Sequence, residues 1–169
     1  MDEELEALWS EKLDEAWRDL MLEGWIRDRA PVWFWPLLRQ ARVIPSEQLA
    51  DRTETAWEVG RITEEELFDA LRIALVVEGL HRRERRRILL GVEVARQGKA
   101  HHVHRAFPCR AKLLARAFEE EVWPMVASEA LDPAAQEAAR RLGVRWARVE
   151  EDRGEKRIRF FAPEKIPAP

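Results

Sequence analysis

The sequence predicts a mainly α fold, a single-domain multi-helix bundle with a β-hairpin packed on it. Two observations lead to this prediction. Apolar residues recur at three- and four-residue spacing over most of the chain before residue 123, which is typical of amphipathic helices. Strand-like runs are confined to 144–161. We expect one mainly helical domain over 1–162, with a helix–hairpin subregion at 132–161, and an extended tail at 163–169.

The first predicted helix covers residues 3–29. One apolar stripe runs along it, and the residues between the stripe positions are mostly acidic. The stripe consists of Leu5, Leu8, Trp9, Leu13, Ala16, Trp17 and Leu20. Pro31 and Pro36 then bracket Val32–Trp35, and proline interrupts a continuous helix. We expect the aromatic segment to form a wedge in the core between helices, with an exposed partner-binding patch as the alternative.

Helices are also predicted for 46–59 and 64–80. The second of these begins at a capping box formed by Thr63 and Glu66. We expect it to be the central buried helix, because Ile73–Leu80 is apolar on nearly every face.

The region from 81 to 122 is predicted to be helical as well, except for one loop. Gly79 and Gly91 weaken a continuation of the central helix to Gln97 without forbidding it. A connecting loop is expected over Lys99–Phe107, and a helix over 108–122 that starts at Pro108.

The C-terminal part combines a short helix with the hairpin. Asp132 and Pro133 have the residue types preferred at a helix start, and Gly143 has the type preferred just after a helix end. The strands of the hairpin are expected at 144–149 and 156–161, joined by a three-residue loop, Asp152–Gly154.

The bulk composition is that of a folded protein, with 46% hydrophobic and 36% charged residues. No apolar run approaches the ~18 residues that a membrane span requires. The chain starts acidic, whereas a secretory signal starts basic. We therefore expect a cytoplasmic protein without membrane contact. The sequence contains no Asn and only four Gln, and because these amide side chains are thermolabile, their scarcity favours a thermophilic source. A single cysteine cannot form an internal disulfide.

The most informative feature is a basic stretch at 81–116. It carries eleven Lys/Arg and two acidic residues, a local net charge of +9 in a chain of net charge −3. Arginine binds phosphate oxygens bidentately without reading sequence. The stretch predicts a non-enzymatic accessory or regulatory protein that binds DNA, RNA or a nucleoprotein complex. The expected contact residues are Arg82, Arg83, Arg86, Arg87, Lys99, His101, His102, Arg105 and Arg110.

Two other interpretations compete with nucleic-acid binding. The basic stretch could be neutralised within the chain by the acidic face of the N-terminal helix. Alternatively, the Trp-rich N-terminal region and the bipolar charge indicate a protein-interaction or assembly module, with a protein partner or a homo-oligomer.

A metal-dependent protein is the remaining alternative. His101, His102, His104 and Cys109 carry the imidazole and thiolate groups that bind zinc, but their spacing matches no standard zinc motif. The sequence contains no Gly-rich phosphate loop, no GxSxG and no HExxH. No catalytic residue and no cofactor is therefore assigned, and the chain is not expected to be an enzyme.

Overall fold

The computed structural model describes residues 2–73 and 75–168. Its centre is a curled, six-stranded mixed β-sheet, so the prediction of a mainly α bundle is wrong. The helices are α1 (Glu3–Trp33), α2 (Ser46–Glu58), α3 (Glu64–Ala70), α4 (Ala100–His104), α5 (Ala111–Phe118) and α6 (Pro133–Leu142). The strands are β1 (Leu38–Val43), β2 (Leu75–His81), β3 (Arg87–Val94), β4 (Gln97–Gly98), β5 (Val122–Ser128), β6 (Ala130–Leu131), β7 (Arg145–Asp152) and β8 (Glu155–Phe161).

The six strands of the sheet lie in the order β1-β2-β3-β5-β7-β8. β1, β2 and β3 form an antiparallel meander, and β7 pairs with β8 as an antiparallel hairpin at the opposite edge. The central strands β3, β5 and β7 are parallel, and their connections contain α4, α5 and α6. A small parallel sheet, β4 with β6, follows the ends of β3 and β5.

Helices cover both faces of the sheet. The C-terminal half of α1 packs on one face, where Ile26 joins Val77 and Leu90 in the core. The other face is covered by α2, α3 and α5 beside β2 and β3, and by α4 and α6 beside β5 and β7. Burial on both faces explains why β2 and β3 read as continuous apolar runs instead of alternating ones.

The largest error of the sequence prediction concerns residues 71–97. The predicted central helix 64–80, with its continuation to Gln97, ends as α3 at Ala70 after seven residues and is followed by β2 and β3. A strand that is buried on both faces has the same all-round apolar pattern as a buried helix, so periodicity does not separate them.

The predicted helix 108–122 is also shorter than expected. A kinked helical segment, Arg105–Arg110, leads into α5, and β5 begins at Val122. The predicted loop Lys99–Phe107 contains α4.

Several local predictions are confirmed. Thr63 Oγ1 accepts a hydrogen bond from the Glu66 N–H, and the Glu66 carboxylate accepts one from the Thr63 N–H, so the capping box is present. The Asp132 side chain accepts from the Ala135 N–H at 2.8 Å and caps α6. The hairpin is present too, but Arg153 and Gly154, both with positive φ, make its loop two residues long instead of three.

The Pro-bracketed aromatic segment is divided between the core and the surface. α1 continues through Pro31 to Trp33, one turn beyond the predicted end. Phe34 is buried, with its ring centroid 5.4 Å from that of Phe160, whereas Val32 and Trp35 are 74% and 61% exposed. Phe34 is thus buried between α1 and the sheet, not between helices as predicted, and Trp35 faces solvent.

The residues after β8 pack back on the protein. Pro163–Lys165 forms a 3₁₀ turn, and Ile166 is buried in the cluster that contains α6.

Candidate functional site

The predicted basic stretch 81–116 does not form one continuous surface. β3 runs through it, and the eight residues of this strand span roughly 25 Å. Arg82, Arg83, Arg86 and Arg87 lie at the β2–β3 turn, before the strand or at its first residue. The remaining predicted contacts follow the end of the strand; they are Lys99, His101, His102, Arg105 and Arg110. The structure thus separates the candidates into two groups.

The first group belongs to a surface that we call the hairpin end: the turn 82–86 with Trp35, Trp123 and Arg145. The Arg82 Nε donates to the Trp35 carbonyl, and its guanidinium lies 3.7 Å from the centroid of the Trp35 ring. The Arg145 guanidinium lies 4.2 Å from the centroid of the Trp123 ring. Arginine and indole therefore alternate across this end of the sheet, in the geometry of cation–π contacts.

His81 fixes the conformation of the turn. Its Nδ1 accepts from the Glu84 N–H at 3.1 Å, and its carbonyl accepts from the Arg85 N–H at 2.8 Å. Burial lowers the pKa of the imidazole, and three neighbouring guanidinium groups act in the same direction against the opposing carboxylate of Glu84. A neutral His81 that accepts a backbone hydrogen bond positions the turn and is not itself an anion ligand.

Two arginines of the hairpin region are neutralised by glutamates. Arg86 forms ion pairs with Glu84, at 2.7 Å, and with Glu121. Arg87 pairs with Glu78 of the neighbouring strand. These glutamates lie in the turn, in β2 and just before β5, so the acidic face of the N-terminal helix is not the neutralising partner.

Arg83 and Arg85 differ from their neighbours. Both are exposed, and within residues 2–73 and 75–168 neither side chain forms an ion pair or a hydrogen bond. Arg85 has a φ of 53°, in the left-handed region that favours glycine. An arginine at this position keeps a positive charge at the tip of the turn at a cost in backbone energy.

The histidines of the second group take part in the start of α4. The His102 Nδ1 accepts from the Lys99 N–H at 3.0 Å, which satisfies a backbone donor at the helix N-terminus. Burial lowers the pKa of His102 to about 4, and the nearby positive charges of His101, Arg105 and Lys99 add to this shift. His102 is therefore a neutral capping residue at physiological pH.

The arginines of the second group converge on one buried carboxylate. Arg110 pairs with Glu93 of β3, and Arg105 lies 3.9 Å from the same carboxylate. Both arginines line an open cleft of about 440 Å³, together with Asp69, Arg72, Cys109 and Leu113. Because both guanidinium groups already interact with the Glu93 carboxylate, less of their positive charge is available to bind an external phosphate.

A metal site is not assembled from the predicted ligands. Across the described ranges, no group of three or more His, Cys, Asp or Glu side chains is placed to hold a metal ion. The candidates His101, His102, His104 and Cys109 thus do not converge on one point, and the Nδ1 of His102 already accepts the Lys99 N–H.

The N-terminal half of α1 is a second candidate surface. The helical bundle predicted from the sequence would bury the apolar stripe, but the structure leaves it in solvent. We call α1 stripe the large apolar side chains of this half, which are 47–65% exposed: Leu5, Leu8, Trp9, Leu13, Trp17, Leu20 and Met21. Burial on the sheet begins only at Leu22. The sequence identified the stripe, but no local signal could show that the domain leaves it uncovered.

The acidic face of α1 borders a crevice of about 690 Å³ whose other wall includes Arg96 and Lys99. The Arg96 N–H donates to the Asp19 carboxylate at 2.7 Å. No ion pair joins α1 to 81–116 in the part of the chain that the structure describes. The prediction that the acidic face of the N-terminal helix neutralises the basic stretch through ion pairs is therefore wrong.

No family model matches this chain, and no curated protein or solved structure shows significant similarity to it. Within the described ranges, no helix combines the length and the apolar character needed to cross a lipid bilayer.

Proposed function

We propose that the hairpin end binds single-stranded nucleic acid. The observation that carries this proposal is the Trp35 indole, which is 61% exposed and stacked with the guanidinium of Arg82. Beside it, Arg83 and Arg85 extend from the turn. Exposed aromatic rings stack on unpaired bases, and neighbouring cations bind the phosphates between those bases. Of the predicted contact residues, only those at this end of the sheet belong to the proposed binding site.

The charge of the hairpin end supports an anionic ligand. The five arginines of the hairpin end (Arg82, Arg83, Arg85, Arg86 and Arg145) stand against Glu84 of the turn and two neighbouring glutamates, Glu121 and Glu164, which gives a local net charge of +2 in a chain of net charge −3. The contrast favours approach of a phosphate chain at this end. Guanidinium–phosphate contacts of this kind hold the backbone without reading the base sequence.

The exposed indole favours a single strand over a duplex. The faces of paired bases are covered by their neighbours in the helix, whereas the bases of a single strand can be splayed onto an aromatic side chain. A duplex would engage only the arginines.

Fluorescence anisotropy with a labelled oligothymidine at low salt tests the proposal. We expect Trp35→Ala to weaken binding by about 10-fold or more, because one base–indole stack is lost. The double variant Arg83→Ala/Arg85→Ala should weaken binding and lower the slope of log affinity against log salt by roughly 1.4, since two phosphate contacts are removed. Matched controls are Trp57→Ala in α2 and Arg140→Ala/Arg141→Ala in α6, which should bind like the wild type.

Absence of binding at low salt would overturn the proposal, and so would binding that neither hairpin-end variant weakens. A preference for duplex DNA that survives Trp35→Ala would overturn the assignment of a single strand.

A further inference from the structure

We infer that the chain forms a symmetric dimer in which the α1 stripes of two copies pack against each other in antiparallel orientation. This inference does not depend on the nucleic-acid proposal. α1 has 31 residues, but only its C-terminal half packs on the sheet, where the buried residues are Leu22, Ile26 and Ala30. The segment 3–21 spans about 28 Å and carries the stripe outside the core.

The exposed apolar area is what a stable dimer needs. The two indoles and five aliphatic or thioether side chains of the α1 stripe are each about half exposed or more. Together they expose on the order of 800 Å² of apolar surface. The largest apolar patch of a typical monomer is roughly 300–600 Å². A standard protein interface buries about 800 Å² on each partner.

The order of residues along the stripe is self-complementary. Leu5, Trp9, Leu13, Trp17 and Met21 are four residues apart and form one ridge along the helix. From either end, the ridge has the same order of side-chain types: an aliphatic or thioether side chain, an indole, and then Leu13 at the centre. In a two-fold symmetric contact, each residue meets its counterpart reciprocally. An antiparallel pair centred on Leu13 places Trp9 beside the partner's Trp17 and Leu5 beside the partner's Met21.

The charges of α1 are compatible with a second copy as the occupant. Glu4, Glu11 and Glu15 lie on the helix face opposite the centre of the stripe, at the spacing of 100° per residue, whereas Glu6 lies on the stripe side near its N-terminal end. When two stripes face each other, the carboxylates of Glu4, Glu11 and Glu15 point away from the contact. A lipid surface is a poor alternative, because helices that lie on membranes carry Lys and Arg on their polar face, and anionic headgroups repel acidic residues.

The contact is remote from the hairpin end. Leu13 lies about 30 Å, at 1.5 Å per helical residue, from the end of α1 at Trp33, which precedes Trp35 by two residues. Loss of the dimer and loss of oligonucleotide binding can therefore be observed separately.

Sedimentation equilibrium of the full chain tests the dimer. The wild type should sediment as a dimer at micromolar concentration. Leu13→Glu should weaken the association by about 100-fold or more, because it places two carboxylates beside each other at the two-fold axis. Leu13 is 65% exposed, so the domain should stay folded, which circular dichroism verifies. The matched control is Ala7→Glu, which adds the same charge to the opposite face of α1 and should leave a dimer.

Cysteine cross-linking tests the antiparallel register. With Cys109, the single native cysteine, changed to Ser, the variants Leu5→Cys and Met21→Cys should each stay uncross-linked alone and form a disulfide-linked dimer when mixed. Homodimers of Leu5→Cys would indicate parallel helices and would overturn the proposed arrangement. A wild type that remains monomeric up to ~100 µM would overturn the dimer itself, and so would a Leu13→Glu variant that still dimerises.

Discussion

The carboxylate of Glu93 and the guanidinium of Arg110 form an ion pair between β3 and the kinked segment 105–110. Their side chains are only 6% and 15% exposed. Arg110 was among the predicted nucleic-acid contacts, but its guanidinium is directed at this buried carboxylate. The pair therefore belongs to the energetics of the fold, and its charge cancels within the protein.

Arg110→Met should lower the free energy of unfolding by up to about 3 kcal/mol, because it leaves the buried Glu93 carboxylate with only the more distant Arg105, at 3.9 Å, as a partner. The double variant Glu93→Met/Arg110→Met should recover most of this loss, since it removes both charges. Urea denaturation measures both effects. Oligonucleotide binding should remain that of the wild type, and an Arg110→Met variant of unchanged stability would contradict the buried pair.

Arg85→Gly should separate binding from stability at the hairpin end. Glycine adopts the left-handed conformation of residue 85 without the steric cost of a side chain, so the free energy of unfolding should rise by up to roughly 1 kcal/mol. Oligothymidine affinity should fall, because one phosphate contact is lost. Both quantities can be measured on one sample, by urea denaturation and anisotropy.

Arg153→Gly is the matched control for this experiment. Arg153 has a φ of 54° and lies in the β7–β8 turn, at the opposite end of the sheet. The same substitution there should raise stability without changing affinity. Equal loss of affinity in both variants would show that only the overall charge of the chain matters.

Local sequence signals predicted those elements whose ends are fixed by a few neighbouring residues. α6 is an example: Asp132 accepts the Ala135 N–H, and Gly143 takes a φ of 75° after the last turn. β2 and β3 were missed because both of their faces are covered by helices that lie elsewhere in the sequence. Ile88 and Leu89 face opposite sides of the sheet and are both buried, so apolar and polar residues do not alternate along β3.

The candidate site was predicted only in part, for a related reason. The high density of arginine at 82–87 was visible in the sequence, but which of these arginines are neutralised depends on strand pairing. β2 and β3 are paired so that Arg87 reaches Glu78, and β5 begins where Glu121 reaches Arg86. Trp35 joins the site through a contact with Arg82 across 47 residues of sequence, which no local pattern contains.

His102→Gln should flatten the dependence of stability on pH. In the folded protein burial holds the pKa of His102 at about 4, below its ordinary value of 6.5. Between these values the unfolded chain binds more protons than the folded one, so the free energy of unfolding falls as the pH falls from 6.5 to 4. For the wild type, the part due to this residue is at most about 3 kcal/mol.

Glutamine suits this test because its side-chain oxygen can accept the Lys99 N–H at the same helix position without titrating. Urea midpoints at pH 7 and pH 4.5 should differ less in His102→Gln than in the wild type. A smaller slope should remain, because burial also lowers the pKa of His81. His104→Gln, at an exposed position of the same helix, serves as the control, and an equal effect of both variants would contradict the role of His102.

Gly98→Ala should destabilise the junction between the two sheets. A Cβ at Gly98 would lie 2.4 Å from Cδ2 of the buried Leu131 and 3.0 Å from Oγ of Ser128, which accepts the Trp146 indole N–H at 3.0 Å. Since Leu131 and Ser128 are packed, the added methyl group must displace one of them. We expect a loss of about 1–3 kcal/mol in the free energy of unfolding, measured by urea denaturation.

Gly24→Ala provides the comparison, because a Cβ there meets no atom within 4 Å and the residue lies inside α1. Alanine at a helix interior position stabilises by roughly 0.5–1 kcal/mol relative to glycine. The two alanine variants should therefore change stability in opposite directions. If Gly98→Ala were as stable as the wild type, Leu131 would have room to move, and the close packing of β4 against β6 would not be required for the fold.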